Sequence, residues 1–243
     1  MSEPLLRIQN LSKTYGQSLQ ALQQVSFDVS VGEVVGLAGT SGAGKSVLTA
    51  ILAGLETSSS GEVWFDGDKL TAPWKSRELG IEVIHQEPQL VSQLDITSNI
   101  FLGNELGWSG PRWMSHLRFL NRSPWQFIPN NRCMDQEATD ILDKIGIRFL
   151  SLRELVLNLP AEQQQILAIA RVMTRNPRLI VIDDPSDQLS IRYQEKLLEL
   201  ITEWRSSGAA VIFASNNLDH LFTVTDRIVI LREGQAVAHL RTD

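Results

Sequence analysis

The run Gly39, Thr40, Ser41, Gly42, Ala43, Gly44, Lys45, Ser46 is where residue types and spacing could do chemistry. Its glycines let backbone N–H groups turn inward around an anion, where a side chain would block the approach. The spacing G-x4-G-K-[ST] is that of a phosphate-binding loop. In that pattern Lys45 neutralises the outer phosphates of a nucleotide, and the Ser46 hydroxyl ligates Mg²⁺. A helix opening at Ser46 points its N-terminus at the same anion. A second site element is the apolar run Leu179 to Ile182, which ends in Asp183. At the C-terminal end of a parallel strand beside the loop, Asp183 holds Mg²⁺ through water. Taken alone, it reads as a strand-end acid entering the turn at Pro185.

These residues need a sheet and helices to bring them together, and the pattern supplies both. Leu6, Ile8, Val25, Phe27 and Val29 alternate with polar neighbours, and Gly16-Gln17-Ser18 supplies a turn. Glu33 to Ala38 reads as a short apolar strand leading into the loop, with a helix from Ser46 to Leu55 after it. Further strands are expected at Gly61 to Phe65, Gly80 to His85, Leu179 to Ile182 and Ala210 to Ala214. Helices are expected at Asp135 to Ile147, Ala161 to Met173 and Tyr193 to Arg205. A closing hairpin, Arg227 to Leu231 and Ala236 to His239, turns at Glu233-Gly234. Strands alternating with helices give an α/β fold whose mostly parallel sheet is covered by helices. Residues 106–134 break the pattern, with Trp108, Trp113, Trp125, four arginines and no carboxylate. They read as an insertion into a single domain spanning residues 1–243. Basic residues interleaved with tryptophans suit a lipid interface or a docking surface, and equally a folded surface loop.

Composition narrows the classes. The 243 residues are 43% hydrophobic, which excludes disorder, and the single cysteine, Cys133, excludes a disulfide scaffold. A lone thiol fits a reducing cytoplasm. A net charge of −6 makes the chain no electrostatic match for nucleic acid. No signal peptide or membrane-spanning run is visible, so any work at a membrane is expected from the water side.

Over nearly its whole length outside 106–134, the chain resembles the nucleotide-binding subunits of ATP-binding cassette (ABC) transporters. The resemblance implies a P-loop NTPase core, an antiparallel β subdomain and a helical subdomain, with ATP and Mg²⁺ as ligands. It assigns Tyr15, in Ser12-Lys13-Thr14-Tyr15-Gly16, to stacking on adenine, although alone this is a half-buried strand aromatic. It assigns Gln86 to the loop that links the metal site to the membrane partner. Gly36-Leu37-Ala38-Gly39 and Asn99-Ile100-Phe101-Leu102-Gly103 look most like the monosaccharide-importer branch.

Four functional positions depart from the family pattern. Its L-S-G-G-Q signature loop appears as Leu159-Pro160-Ala161-Glu162-Gln163. The position of the catalytic glutamate, after Asp183, holds Asp184. The D-loop aspartate position holds Ser190, and the switch histidine position holds Asn216. The resemblance therefore implies an ABC-type P-loop ATPase with weak hydrolysis, catalytic positions Asp184 and Asn216, and metal positions Ser46, Gln86 and Asp183. The implied partners are a polytopic transmembrane permease subunit and a second cassette. A heteromeric pairing is favoured over a homodimer, since a homodimer would carry every departure twice. The implied place is the cytoplasmic face of the cell membrane, as a peripheral subunit. The competing readings are a regulatory subunit that binds ATP without hydrolysing it, and a soluble ABC-type ATPase with no membrane partner. A GTPase is disfavoured because no N-K-x-D segment is present.

Overall fold

Val34–Ala38, Leu179–Asp183 and Ala210–Ser215 are apolar along almost their whole length, and a strand of that kind needs cover on both faces. In the computed structural model, which describes residues 3–16, 18–71, 76–107 and 129–242, all three lie buried in the middle of a sheet. The chain forms two compact units. The first comprises residues 1–87 and 176–243, and the second residues 88–175.

The first unit holds two sheets. Strands β1 (Leu6–Tyr15), β2 (Leu19–Val29), β4 (Ser60–Phe65) and β5 (Asp68–Lys69) form an antiparallel sheet in the order β2-β1-β4-β5. Along β1 burial alternates at Leu6 and Ile8, as the sequence pattern requires of a half-covered sheet. The second sheet runs β10-β9-β3-β8-β7-β6. It contains β3 (Val34–Ala38), β6 (Ile81–Ile84), β7 (Leu179–Asp183), β8 (Ala210–Ser215), β9 (Arg227–Arg232) and β10 (Gln235–Arg241). Every pairing in it is parallel except the closing β9–β10 hairpin. Helices α1 (Lys45–Leu52), α5 (Ile191–Ser206) and α6 (Leu218–Val224) belong to this unit. One core joins the sheets: Leu6, Ile8, Val25 and Phe65 pack in the same cluster as Leu37, Leu48, Val181 and Ile212.

The second unit is helical, with α2 (Ile96–Ile100), α3 (Asn131–Ile145) and α4 (Ala161–Met173). Asp95 caps α2 by accepting from the Ser98 N–H at 2.7 Å, and Arg153 reaches the other carboxylate oxygen at 2.9 Å. Asn99 on α2 has no solvent exposure, and its amide clasps both the N–H and the carbonyl of Val91 at 2.9 Å. Arg171 on α4 donates to the carbonyls of Asn99 (2.9 Å) and Gln89 (2.7 Å), so the segment after Pro88 is tied to α4.

Sequence patterning misplaces some ends. Helix α3 begins at Asn131 rather than Asp135, because the Asn130 side chain caps it through the Cys133 N–H at 3.2 Å. It stops at Ile145 because Gly146 turns to φ +90°. Residues 131–134, read as insertion, are thus the first turn of α3. Residues 108–128 of that segment, with Trp108, Trp113 and Trp125, lie outside the described residues. Its base is closed: Gly107 bridges Pro129, and the Asn130 N–H donates to the Leu106 carbonyl at 2.7 Å. Helix α1 ends at Leu52 rather than Leu55. The short elements β5, α2 and α6 escape a reading based on periodicity.

Candidate nucleotide site

Strand β3 delivers the chain into the loop 39–44 and α1 carries it away. Gly44 is the N-cap of α1 at φ +104°, with no side-chain cap and no acidic residue in the first turn. The first N–H groups of the helix are thus not capped by a side chain, and the positive end of its dipole faces the loop. The loop is braced from behind. Gly234, at the β9–β10 turn, donates to the Ala43 carbonyl at 3.1 Å and accepts from the Gln23 N–H at 2.7 Å. A Cβ on Gly39 would stand 2.5 Å from the Leu231 carbonyl, and one on Gly44 would stand 2.7 Å from that of Ala21. The glycines at these positions therefore permit a close approach of backbone to backbone.

A cavity of about 170 Å³ opens at the loop, lined by residues 41–47 together with Ala21, Gln86, Asp183, Asp184 and Asn216. Lys45 is only 7% exposed, and Asp183 and Asp184 are 6% each. Burial lowers the Lys45 pKa from its ordinary value, against the upward pull of Asp184 and then Asp183. Burial pushes the Asp183 carboxyl up, opposed by the hydrogen bond from Ser46 and reinforced by neighbouring Asp184. The Ser46 hydroxyl donates to Asp183 Oδ1 at 3.2 Å. Among the described residues no group of three or more His, Cys, Asp or Glu is placed to hold a metal. A hydroxyl beside one carboxylate is a hard oxygen pair that fits Mg²⁺, which usually keeps several waters and takes phosphate oxygens as further ligands.

The structure thus gathers the loop, Gln86, Asp183, Asp184 and Asn216 around one cavity. Tyr15 lies outside its lining, 37% exposed at the end of β1, with Lys13 Nζ 4.8 Å from its ring centroid. Two features were not readable from the sequence. One is the hydrogen bond from Lys45 Nζ to Asn216 Oδ1 at 2.8 Å. The other is the anchoring of Asp184: Oδ2 accepts from the Asn216 N–H at 2.9 Å and Oδ1 from the Ser215 hydroxyl at 3.4 Å. Asp184 sits at φ +35°, a left-handed conformation that aspartate tolerates better than most residues. In the second unit Pro160 is the N-cap of α4, without a side-chain cap bond, and Glu162 lies in the first turn.

A strand, glycine loop and helix beside an acid-tipped parallel strand define a P-loop nucleotide-binding protein. The chain belongs to the ABC transporter family, whose model matches residues 22–187. It is 36% identical over 239 residues to a ribose import ATP-binding protein, RbsA, of Yersinia pestis, covering 98% of this chain and 43% of that protein. It is 32% identical over 242 residues to a xylose import ATP-binding protein, XylG, of Burkholderia cenocepacia, again covering 98% and 43%. The chain therefore spans less than half the length of these curated relatives. Its fold matches that of the ATP-binding cassette MJ0796, solved as a dimer in a post-hydrolysis state with ADP and Pi, at a TM-score of 0.79 and 24% identity. That match covers 98% of this chain and 99% of the solved one. Among the described residues no helix is long and apolar enough to cross a membrane.

Proposed function

We propose that this chain is an ATP-binding subunit of a membrane ABC transporter that imports a sugar-like solute, and that it hydrolyses ATP weakly. The observation that carries the nucleotide part is the pair of buried groups Lys45 and Asp183, with the exposed Ser46 hydroxyl bonded to Asp183, around one cavity at the mouth of a helix N-terminus. The names of its sugar-import relatives support the transport part. Bound Mg²⁺ would neutralise phosphate charge and orient the terminal phosphate. The loop N–H groups and the end of α1 hold the phosphates, Lys45 supplies the cation, and Ser46 and Asp183 hold the metal. Gln86 lines the same cavity as a further metal-side group, and Tyr15 serves the base only if it moves toward it. The subunit works at the cytoplasmic face of a membrane, against a polytopic permease and a second cassette with intact motifs.

Weak hydrolysis follows from where the departures sit. Asp184 has both carboxylate oxygens engaged by Ser215 and Asn216, and its side chain is one methylene shorter than glutamate. A misplacement of about 1 Å costs on the order of a hundredfold in rate. Pro160 offers neither a hydroxyl nor an N–H to a partner's phosphate, and Glu162 brings a carboxylate to the same helix end. Steady-state ATPase of the natural chain is compared with the variant Pro160→Ser, Glu162→Gly, Asp184→Glu, Asn216→His. The variant is expected to be faster. Turnover of about 1 per second or more by the natural chain alone overturns the weak-hydrolysis reading. The anchoring of Asp184 also favours a second reading, a regulatory subunit that holds ATP without turning it over; bound ATP recovered intact after hours distinguishes the two.

A further inference from the structure

A second cavity, of about 490 Å³, opens in the first unit and shares no lining residue with the nucleotide cavity. Strand β1 contributes Thr14 to it, β2 contributes Gln20, Gln23 and Gln24, and β10 contributes Gln235. None of the residues that line it carries a charge. The β1–β2 ladder shifts register beside it, and the Gln24 N–H donates to the Ser12 hydroxyl at 2.9 Å. The amides of Gln20 and Gln24 and the Thr14 hydroxyl have no hydrogen-bond partner among the described residues. Gln235 Nε2 donates to Gln23 Oε1 at 2.9 Å, and Gln23 Nε2 to the Glu233 carbonyl at 3.1 Å. From there the bonds continue to the phosphate loop: the Gln23 N–H donates to the Gly234 carbonyl, and the Gly234 N–H to that of Ala43. Leu22, which also lines this cavity, has its Cδ2 only 2.8 Å from where a Gly44 Cβ would stand.

We propose that this cavity is a second ligand site, for a neutral polyhydroxyl molecule of monosaccharide size, and that its occupancy braces the phosphate loop. An uncharged lining gives an ion no counter-charge to replace its water, so a charged ligand loses by entering. A wholly apolar ligand would leave the Gln20 and Gln24 amides without partners. A primary amide presents an acceptor and two donors at one end, and adjacent hydroxyls on a sugar ring present the complement. Leu22 and Ala236 supply apolar contact for ring C–H groups. The volume falls within the range of small-molecule pockets, roughly 300–1,000 Å³. A ligand that orders Gln23 and Gln235 tightens the bonded path from Gln235 through Gln23 and Gly234 to Ala43. The ligand site stands whether or not the loop holds a nucleotide, and the brace gives the proposed ATP site an effector.

The test titrates D-xylose and D-glucose into the nucleotide-free full chain, followed by ligand-observed NMR, with D-glucose 6-phosphate as a charged competitor. Saturable millimolar binding of a neutral sugar is expected, and the phosphate should displace it at least about tenfold less well than D-glucose does. Gln20→Leu and Gln24→Asn should each weaken binding about three- to tenfold, the size of one net hydrogen bond. Both residues are exposed, and asparagine tolerates the left-handed φ of +50° at position 24, so the unfolding midpoint without ligand should not move. Saturating sugar should slow hydrogen exchange at the Gln23 and Gly234 amides, but not in the double variant. Where ATP binds, sugar should raise its affinity, and ATP the sugar's, by one common factor. The proposal is overturned if neither sugar binds saturably, if the double variant binds as well as the natural chain, or if the phosphate competes as well as D-glucose. Unchanged exchange at Gln23 and Gly234 under saturating sugar overturns the brace. A chain that binds sugar but no ATP keeps this site and overturns the nucleotide reading instead.

Discussion

Three glycines of the phosphate loop separate conformational strain from steric fit, because each tests a different combination. Gly42 sits at φ +80° with nothing within 4 Å of the position its Cβ would take. Gly42→Ala therefore carries only the torsional cost of a left-handed L-residue, about 1–2 kcal/mol. Gly39 is not left-handed, but its Cβ would stand 2.5 Å from the Leu231 carbonyl and 3.0 Å from Ala43 Cβ. Gly39→Ala must push backbone away from backbone, at about 1–3 kcal/mol. Gly44 carries both terms, with φ +104° and contacts of 2.7 and 2.8 Å to Ala21 O and Leu22 Cδ2. Gly44→Ala is expected to cost about 2–5 kcal/mol, a large part of the roughly 5–15 that a domain has. The assay is urea unfolding of the three variants, with hydrogen exchange at the Gln23 amide as a local probe, since that N–H bonds the Gly234 carbonyl behind the loop. Gly39→Ala and Gly44→Ala should speed this exchange and Gly42→Ala should not. A Gly42→Ala variant as damaged as Gly44→Ala, or a cost-free Gly39→Ala, would refute the reasoning.

Lys45→Ala should weaken ATP binding by about 10- to 100-fold, one charge-assisted hydrogen bond of roughly 1.5–3 kcal/mol, read by calorimetry; unchanged affinity removes the nucleotide assignment. Burial raises the Asp95 carboxyl, but the hydrogen bonds from Ser98 and Arg153 outweigh it and hold its pKa below the ordinary aspartate value. Its ionised form therefore adds stability that is present above the ordinary value of about 3.9 and lost as pH falls through the lower folded value. Asp95→Ala should cost about 1 kcal/mol at neutral pH through the lost α2 cap. The gap between the natural chain and Asp95→Asn should close in acid, as followed by thermal unfolding across that window.

Much of this fold is legible in the sequence because its central strands β3, β7 and β8 are apolar along almost their whole length, β1 and β2 carry alternating apolar positions, and its long helices are periodic. Helix α4 has the bounds that its pattern predicts, Ala161 to Met173, and β7 extends that prediction by only Asp183. Helices α2 and α6 are five and seven residues long, too short to show a period, and their ends are set by side chains such as Asp95 and Asn217. At the site, the loop and Asp183 announce themselves by residue type and order. The contact between Lys45 and Asn216 does not, because it joins two residues through the alignment of β3 with β8, and an asparagine after a strand looks like a turn. The anchoring of Asp184 is hidden for the same reason, since its donors, the Asn216 N–H and the Ser215 hydroxyl, come from the end of β8, about 30 residues away in sequence.

The order of strands across the large sheet has a consequence for how the chain can be made. β3 lies between β8 and β9, pairing Val34 with Val211 and Val35 with Arg227. Both of its neighbours are therefore synthesised long after it. The antiparallel sheet, by contrast, is complete once Lys69 has been added, and its pairings are comparatively local. During synthesis that sheet can assemble while β3 and β6 wait, and loop closures of this length slow folding. A chain stopped anywhere before Ala210 leaves β3 without either neighbour, and the loop that β3 carries without the strand that brings Asn216 to Lys45.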